Sequence, residues 1–554
     1  MTADAGDDRG SISAASTRKE RVFLRESTGL VRLMGTGDSV LYSAMITTFL
    51  LGAALTFLLV PYAFPKANIW LGVLITGVIG ITMMVAYSML ASAMPRSGGD
   101  YVFQSRLVHP ILGVPLVLWG YVLWMGLWQA LTGYLIAAVA ISPFAITLGQ
   151  QTGAHWLTSF GTWASTPWGI IVISLITFAI TLAILIRGMR TYLKLQWFFW
   201  GSILLSVGLV LVLLLNGGHQ GFVNHLNHFM ATQGAGPNYY NQVINAARSS
   251  GVALHGYSFS DTVGVAPVVW TALAWTMWSV LNAGELKHAR KLRSMNIATG
   301  GSLIIITVLI GAIALVFTHT VGTTFVRSIS YGYETGSSTA AKLHTPPYFE
   351  FLVNTLTGSP VVTVLLALGF IFNGLQVLIG IAWGASRVIL ALAFDRQLPP
   401  SMGDVSPRYH TPVKALVAFY LVSVVWVFLY NKTGVAKYTL AVTLTSIIVY
   451  LGTMLAAAVF PYKAPEIYKA SPASRYRLLG IPLITVLGTI AFVFNAIMVG
   501  YYLADDKLGV NGTGSLVLLG ATFVACVAYY FARRAWLLRQ GFEPDATFSL
   551  IPPD

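Results

Sequence analysis

The stretch Ile69–Arg106, IWLGVLITGVIGITMMVAYSMLASA followed by MPRSGGDYVFQSR, decides the architecture. Its first part, residues 69–93, is an unbroken uncharged apolar run. About 20 helical residues cross a hydrocarbon core roughly 30 Å thick, so this run is a membrane span. The second part is a turn. Paired Gly98 and Gly99 let a backbone bend tightly or approach a neighbouring helix, and Arg106 can cap carbonyls or pair with an acid at the membrane mouth. A plain turn between two spans would need no more, so the turn and the gate readings both stand at this point.

Working outward with the same ruler gives about twelve spans. The first six run near 38–60, 69–93, 112–141, 167–187, 195–216 and 265–283, and the last six near 297–320, 358–385, 413–430, 438–461, 480–503 and 514–532. Composition agrees: 56% of the 554 residues are hydrophobic and 9% charged, against roughly a quarter charged in a soluble domain. That excludes an ordinary soluble enzyme, a disordered chain and a collagen-like one. The net charge of +14 would point to nucleic acid in a soluble protein, but in a membrane protein basic residues gather in cytoplasmic loops, and no nucleic-acid partner is expected. Sorting them by alternate loops leaves only Lys66, Arg248, Arg327, Lys342, Lys432, Lys437 and Lys507 on the outer side, so a multi-pass cell-membrane protein with both termini cytoplasmic is expected.

The first twenty residues are polar and lack an apolar signal core, and read as a short disordered cytoplasmic tail. The single cysteine, Cys526, sits in an apolar run, which excludes a disulfide framework or a thiolate metal cluster and reads as a small buried hydrophobe. The outer segment 217–264, with HQGFVNHLNHF inside it, reads as an extracellular loop that caps the outer face; His225 and His228 have no nearby carboxylate or thiolate to complete a metal site. No phosphate-cradling G-x-x-x-x-G-K-[ST] motif occurs. No cofactor, metal or catalytic group is expected.

Three stretches at cytoplasmic ends of spans resemble the amino acid-polyamine-organocation (APC) superfamily of secondary transporters. Pro95, Ser97, Gly98, Gly99, Tyr101 and Arg106 match its P-x-S-G-G-x-Y-x-x-x-x-R signature. Residues 384–412, GASRVILALAFDRQLPPSMGDVSPRYHTP, resemble the segment leaving span eight, with Ser386-Arg387, Asp395-Arg396, Leu398-Pro399 and Thr411-Pro412 in order. NAGELKHARK, residues 282–291, resembles the acidic motif that ends span six.

The resemblance implies an all-α membrane fold of about twelve helices: a first five-helix repeat (38–216), an inverted second repeat (265–461) and two extra helices (462–532), between tails 1–37 and 533–554. It also implies a substrate site near midplane where the first helix of each repeat is unwound, exposing amides to a carboxylate and carbonyls to an amine. By position the breaks fall at Tyr42–Met45 and Ala272–Thr276. Ser39, Tyr42, Ser43, Ala44 and Met45, then Thr271, Ala274, Trp275 and Thr276, and Asn373 of span eight are the expected substrate residues. Here the chain departs from the family, with Ser43, Met45 and Trp275 where glycines are usual, which predicts a smaller or reshaped pocket.

Asp38, Gly98, Gly99, Tyr101, Arg106, Glu285 and Arg387 are the expected gating and coupling residues. Glu285 reads equally as a partner of Lys287 or His288, as a gate acid or as a proton carrier, and Asp38 as a helix cap or a functional acid. Span five has no lysine between Leu195 and Leu215 to stand in for sodium, while Asn373 and Ser386 offer sodium ligands, so the coupling ion, H+ or Na+, stays open. The function implied is secondary active transport of an amino acid by alternating access, as symport or exchange, without catalysis. A polyamine or organic-cation substrate, and a transport-inactive receptor, are the alternatives. Scarce midplane acids favour the zwitterion.

Overall fold

The computed structural model describes residues 28–343 and 345–551; most of the expected N-terminal tail, residues 1–27, lies outside the described residues. Among the described residues, twelve helices are long and apolar enough to cross a membrane. They are span one (Thr36–Ala63), two (Ile69–Ala93), three (Pro110–Thr152), four (Pro167–Ile186), five (Met189–Thr232), six (Phe259–Leu281), seven (Leu292–Val321), eight (Pro360–Phe394), nine (Val413–Lys432), ten (Ala441–Lys463), eleven (Leu483–Ala504) and twelve (Thr513–Arg539). The fold is all-α, the described β-structure being a two-residue hairpin, Arg477–Leu478 against Ile481–Pro482, beside two isolated bridges.

Local chemistry sets several helix starts. Asn68 caps span two by accepting from the Leu71 amide at 3.2 Å, and Thr166 caps span four by accepting from Gly169 at 3.1 Å, with Pro167 in the first helical position, where its missing N–H costs nothing. Burial sorts the spans into layers. In spans one and six 94% of the most apolar window is buried, against 22% in span twelve, so one and six form the axis and twelve lies at the rim. Span five packs along eight, two along seven and ten along eleven, while both halves of span one lie against six and eight.

Two stretches differ from the sequence expectation. Residues 217–264 are largely helical: the span-five helix runs on to Thr232 through a kink at Gly218 (φ 59°), and Tyr239–Ser249 forms another helix. Phe222, Leu226 and Met230, four apart, are buried against the body of the protein, which is why this polar-looking stretch coils. His225 Nδ1 lies 2.7 Å from the Gly221 carbonyl one turn back, within the helix. Span eight continues to Phe394, so Ser386 and Arg387 stand inside a helix and not in a segment leaving it. An even number of spans puts the two described ends of the chain on one face, called the terminal face below.

Candidate functional site

Span one is two helices, Thr36–Met45 and Phe49–Ala63, separated by Ile46, Thr47 and Thr48. The break begins where the sequence expectation ends, a turn late, because two adjacent threonines sustain it. Thr47 Oγ1 donates to the Ala44 carbonyl and Thr48 Oγ1 to the Thr47 carbonyl, at 2.5 and 2.6 Å. Thr48 itself is left-handed (φ 50°), a conformation that costs a residue with a Cβ about 1–2 kcal/mol. The helix that follows leaves its first amides without intrahelical acceptors. The third, on Leu51, reaches Asn373 Oδ1 on span eight at 3.4 Å.

Span six changes at the matching depth. Its α-helix ends at Leu273, and Ala274–Leu281 winds on as a tighter 3₁₀ helix. Trp275 and Trp278 project from this segment into an aromatic cluster. Trp275 lies 4.8 Å from Trp128 and 5.9 Å from Trp278, and Trp278 lies 4.9 Å from Tyr121. Around the two breaks, Ser43 Oγ, Gln129 Oε1, Ser279 Oγ and Asn373 Nδ2 are buried without a protein partner. Buried polar atoms are ordinarily hydrogen-bonded, so these unpartnered groups make the two breaks the candidate substrate site.

The room that glycines provide comes from span eight. A Cβ on Gly380 would lie 2.9 Å from Ile46 Cδ1, and one on Gly384 would collide with the Trp278 indole. That close approach lets the Gly380 carbonyl accept from both Tyr42 Oη (2.8 Å) and Trp278 Nε1 (3.1 Å), pinning spans one and six to the same point. Of the expected substrate residues, Tyr42, Ser43, Ala44, Met45, Ala274, Trp275 and Asn373 border or lie within one turn of the breaks. Three hydroxyls are engaged elsewhere. Ser39 donates to the Gly35 carbonyl, Thr271 to Pro267 within the helix beside Tyr502, and Thr276 to the Met84 sulfur.

Below the site, toward the terminal face, the expected gating residues assemble into two ion pairs. Glu285 accepts from Arg387 Nε at 2.6 Å and Nη2 at 2.9 Å, a two-pronged pair. Both side chains are almost wholly buried, with the guanidinium 4.2 Å from the Trp383 ring centroid. Its partner is therefore neither Lys287 nor His288. Arg106 pairs with the buried Asp395 at 2.7 Å, and Tyr101 Oη donates to the same carboxylate oxygen. Gly98 and Gly99 both have positive φ (100° and 38°), which turns residues 97–99 against span six. The Gly98 amide donates to the Leu281 carbonyl there at 2.9 Å. A parallel bridge between Met34 and Leu286 adds the start of span one to the same seal. Asp38 accepts from the Gly35 amide (3.0 Å) and from Trp197 Nε1 (3.1 Å), so it ties the first turn of span one to span five.

The opposite face holds a cleft of about 600 Å³ that reaches down beside Leu55, Leu59 and Leu131, and Tyr62, Tyr134, Tyr348, Glu334 and Lys507 line its mouth. A two-part span one, a matched change in span six and an ion-paired plug under both now stand together. The sequence model of the amino acid permease family matches residues 50–541. The chain belongs to that family.

The glutamate/serine transporter AimA of Bacillus subtilis (strain 168) is similar to this permease at 23% identity over 475 residues, covering 84% of this chain and 76% of its own. The permease is thus a multi-pass membrane protein that transports amino acids. Sequence reasoning missed three features of it. The Thr47–Thr48 pair signalled the break, and Gly374, Gly380 and Gly384 of span eight signalled a close-packed face. Asp100, at the variable position of the glycine-tyrosine signature, is completely buried.

Proposed function

We propose that this permease carries a small neutral amino acid by alternating access, coupled to protons, with both termini in the cytoplasm and without catalysing any reaction. The observation that carries this reading is the meeting of the span-one break and the 3₁₀ segment of span six around unpartnered buried polar groups. The amides that open the second half of span one suit a carboxylate, and the carbonyls that end the first half suit an ammonium. Trp275, Trp278 and Trp128 supply bulky apolar walls, which suit a short side chain better than a long one.

The Bacillus relative is a glutamate/serine transporter. For this chain serine fits better than glutamate, because the two arginines nearest the site, Arg387 and Arg106, are already committed to Glu285 and Asp395. A second substrate carboxylate would be buried without a counter-ion. The same argument speaks against a polyamine, whose ammonium groups would need free acids. Coupling to sodium loses its candidate ligands on span eight: Asn373 Oδ1 takes the Leu51 amide, and Ser386 Oγ donates to the Trp383 carbonyl while accepting from Arg387. Glu285, held by two charge-assisted bonds, serves as a gate and not as the proton carrier.

With the terminal face sealed and a cleft on the other, the conformation is outward-facing under this orientation. Apolar side chains such as Val212, Leu215, Val493 and Val517 point away from the body of the protein and suit contact with lipid. Proteoliposomes loaded with buffer and given radiolabelled serine, alanine, glutamate or putrescine under a proton gradient, a sodium gradient or neither test the reading. Saturable serine or alanine accumulation under the acid-outside proton gradient is expected. Glutamate or putrescine accumulation above serine, or dependence on sodium, would overturn it.

A further inference from the structure

Asp100 opens the short helix Asp100–Leu107 between spans two and three, directly before the gate residue Tyr101. Its carboxylate is completely buried. Oδ1 accepts from Tyr87 Oη of span two and from Thr453 Oγ1 of span ten, both at 2.5 Å, and Thr453 in turn accepts from Gln104 Nε2 at 2.9 Å. Oδ2 lacks a close hydrogen-bond donor, and the Tyr121 hydroxyl is turned toward the carboxylate. Among the described residues, no ion pair reaches this carboxylate. On its own helix, Arg106 is bound to Asp395; on span eight, Arg387 is bound to Glu285. His109, at the start of span three, is exposed, and Lys463 lies at the far end of span ten. The other titratable groups turned toward it are phenols: Tyr87, Tyr121 of span three and Tyr450 of span ten.

Burial without a counter-ion favours the protonated carboxyl, so a mechanism that moves the group between burial and water also biases it toward releasing a proton. The position suits such a cycle. Above Asp100, the Tyr121 ring lies 4.9 Å from Trp278 at the substrate site. The buried Tyr450 hydroxyl is turned toward Tyr121, and the Tyr121 hydroxyl toward Asp100, so hydroxyls and an acid line one route downward. Below it, the next residue, Tyr101, is bonded to Asp395 in the terminal-face seal.

The geometry points to Asp100 as the proton-binding site that couples transport, a role that rests on the proton-coupled reading above. The proton binds at Oδ2 from the substrate side while the terminal face is shut. Opening the Arg106–Asp395–Tyr101 seal shifts the same short helix and exposes the acid, and the proton leaves to water on that side, returning a carboxylate. Burial pushes the Asp100 carboxyl up to about 6, against the pull of its hydrogen bonds from Thr453, Tyr87 and Tyr121.

Asp100→Asn keeps the size and the Oδ1 acceptor but cannot titrate. In proteoliposomes, [14C]serine counterflow, which needs no net proton movement, is measured beside accumulation under an acid-outside gradient. Wild-type counterflow is expected to fall as pH rises through about 6, and the variant to exchange serine at a pH-independent rate while losing at least ten-fold in gradient-driven accumulation. Accumulation by the variant with the wild-type pH profile would overturn the assignment and leave proton coupling standing. Wild-type counterflow without gradient-driven accumulation would instead overturn proton coupling, and Asp100's role with it. Tyr87→Phe removes one donor to the charged form while keeping the acid, so the midpoint is expected to rise by about one pH unit. That variant decides the matter if Asp100→Asn proves inactive in counterflow, an unchanged midpoint then counting against the assignment.

Discussion

The two faces of the permease are held by different physics. On the terminal face the seal is charged and geometrically fixed: two buried ion pairs, Glu285–Arg387 and Arg106–Asp395, with backbone bridges around them. On the opposite face, no ion pair between described residues joins the elements that close it. There Phe349 packs against Phe57 at 5.3 Å and against Phe370 at 5.7 Å, and the Tyr134 and Tyr348 hydroxyls meet at 3.3 Å above the cleft. Stacked aromatics slide and re-form with little directional cost, whereas a buried ion pair must stay whole or be hydrated. On the proposed alternating-access reading, a carrier built this way has one face that closes gradually over its substrate and one that opens only as a unit.

The comparison fails first, if it fails, at Glu285. Glu285→Gln leaves the Arg387 guanidinium buried and uncompensated, a loss of about 3–5 kcal/mol. That is enough to move a two-state equilibrium by two to three orders of magnitude, roughly. Serine uptake into proteoliposomes should fall below a tenth of wild type while the protein still purifies as a folded monodisperse species. Normal uptake would mean the pair does not hold the terminal face shut.

Next in size is Gly384→Ala, in which the added methyl meets the Trp278 indole and threatens its bond to the Gly380 carbonyl. Overpacking of this kind costs about 1–3 kcal/mol, so half-saturation for serine should rise roughly ten-fold. Tyr101→Phe removes a single donor to Asp395 and leaves Arg106 in place. A bond to a charged group is worth about 1.5–3 kcal/mol, so a several-fold loss of uptake is expected, smaller than for Glu285→Gln. Tyr134→Phe, on the opposite face, deletes only a long hydroxyl contact and should alter uptake less than about two-fold. A reversal of the last two, with Tyr134→Phe the more damaging, would invert the assignment of charged and aromatic closures.

Much of this was legible in the residues because a bilayer punishes exceptions. Twelve apolar runs must be helices, and Gly98, Gly99, Tyr101, Arg106, Glu285 and Arg387 stand in strings too specific for a generic turn. The partners were less legible. Nothing in the sequence near Glu285 distinguishes Arg387, a hundred residues away along the chain, from Lys287. Position in the family's fold puts the break in span one at Tyr42–Met45, a turn before Ile46–Thr48, where Thr47 and Thr48 bond the Ala44 and Thr47 carbonyls with their own hydroxyls. The room glycine provides was transferred to Gly380 and Gly384 on the facing helix. Residues 217–232 read as a loop because asparagine, glycine and histidine hid the buried Phe222, Leu226, Met230 stripe.

The most direct test of charged against aromatic closure is cysteine accessibility, since the chain carries one cysteine, Cys526, which can be removed first. Leu59 lies in the cleft of the opposite face, and Asn282 lies buried in the seal, bridged to Ser97 and accepting from the Glu285 amide, so Leu59→Cys and Asn282→Cys report on the two faces. An impermeant maleimide applied in turn to each side of oriented proteoliposomes should label Leu59→Cys quickly from the opposite face and leave Asn282→Cys unmodified from the terminal face. Adding Glu285→Gln should reverse both rates. Rapid terminal-face labelling of Asn282→Cys with Glu285 intact, or no change when Glu285 is replaced, would contradict a terminal face held shut by its ion pairs.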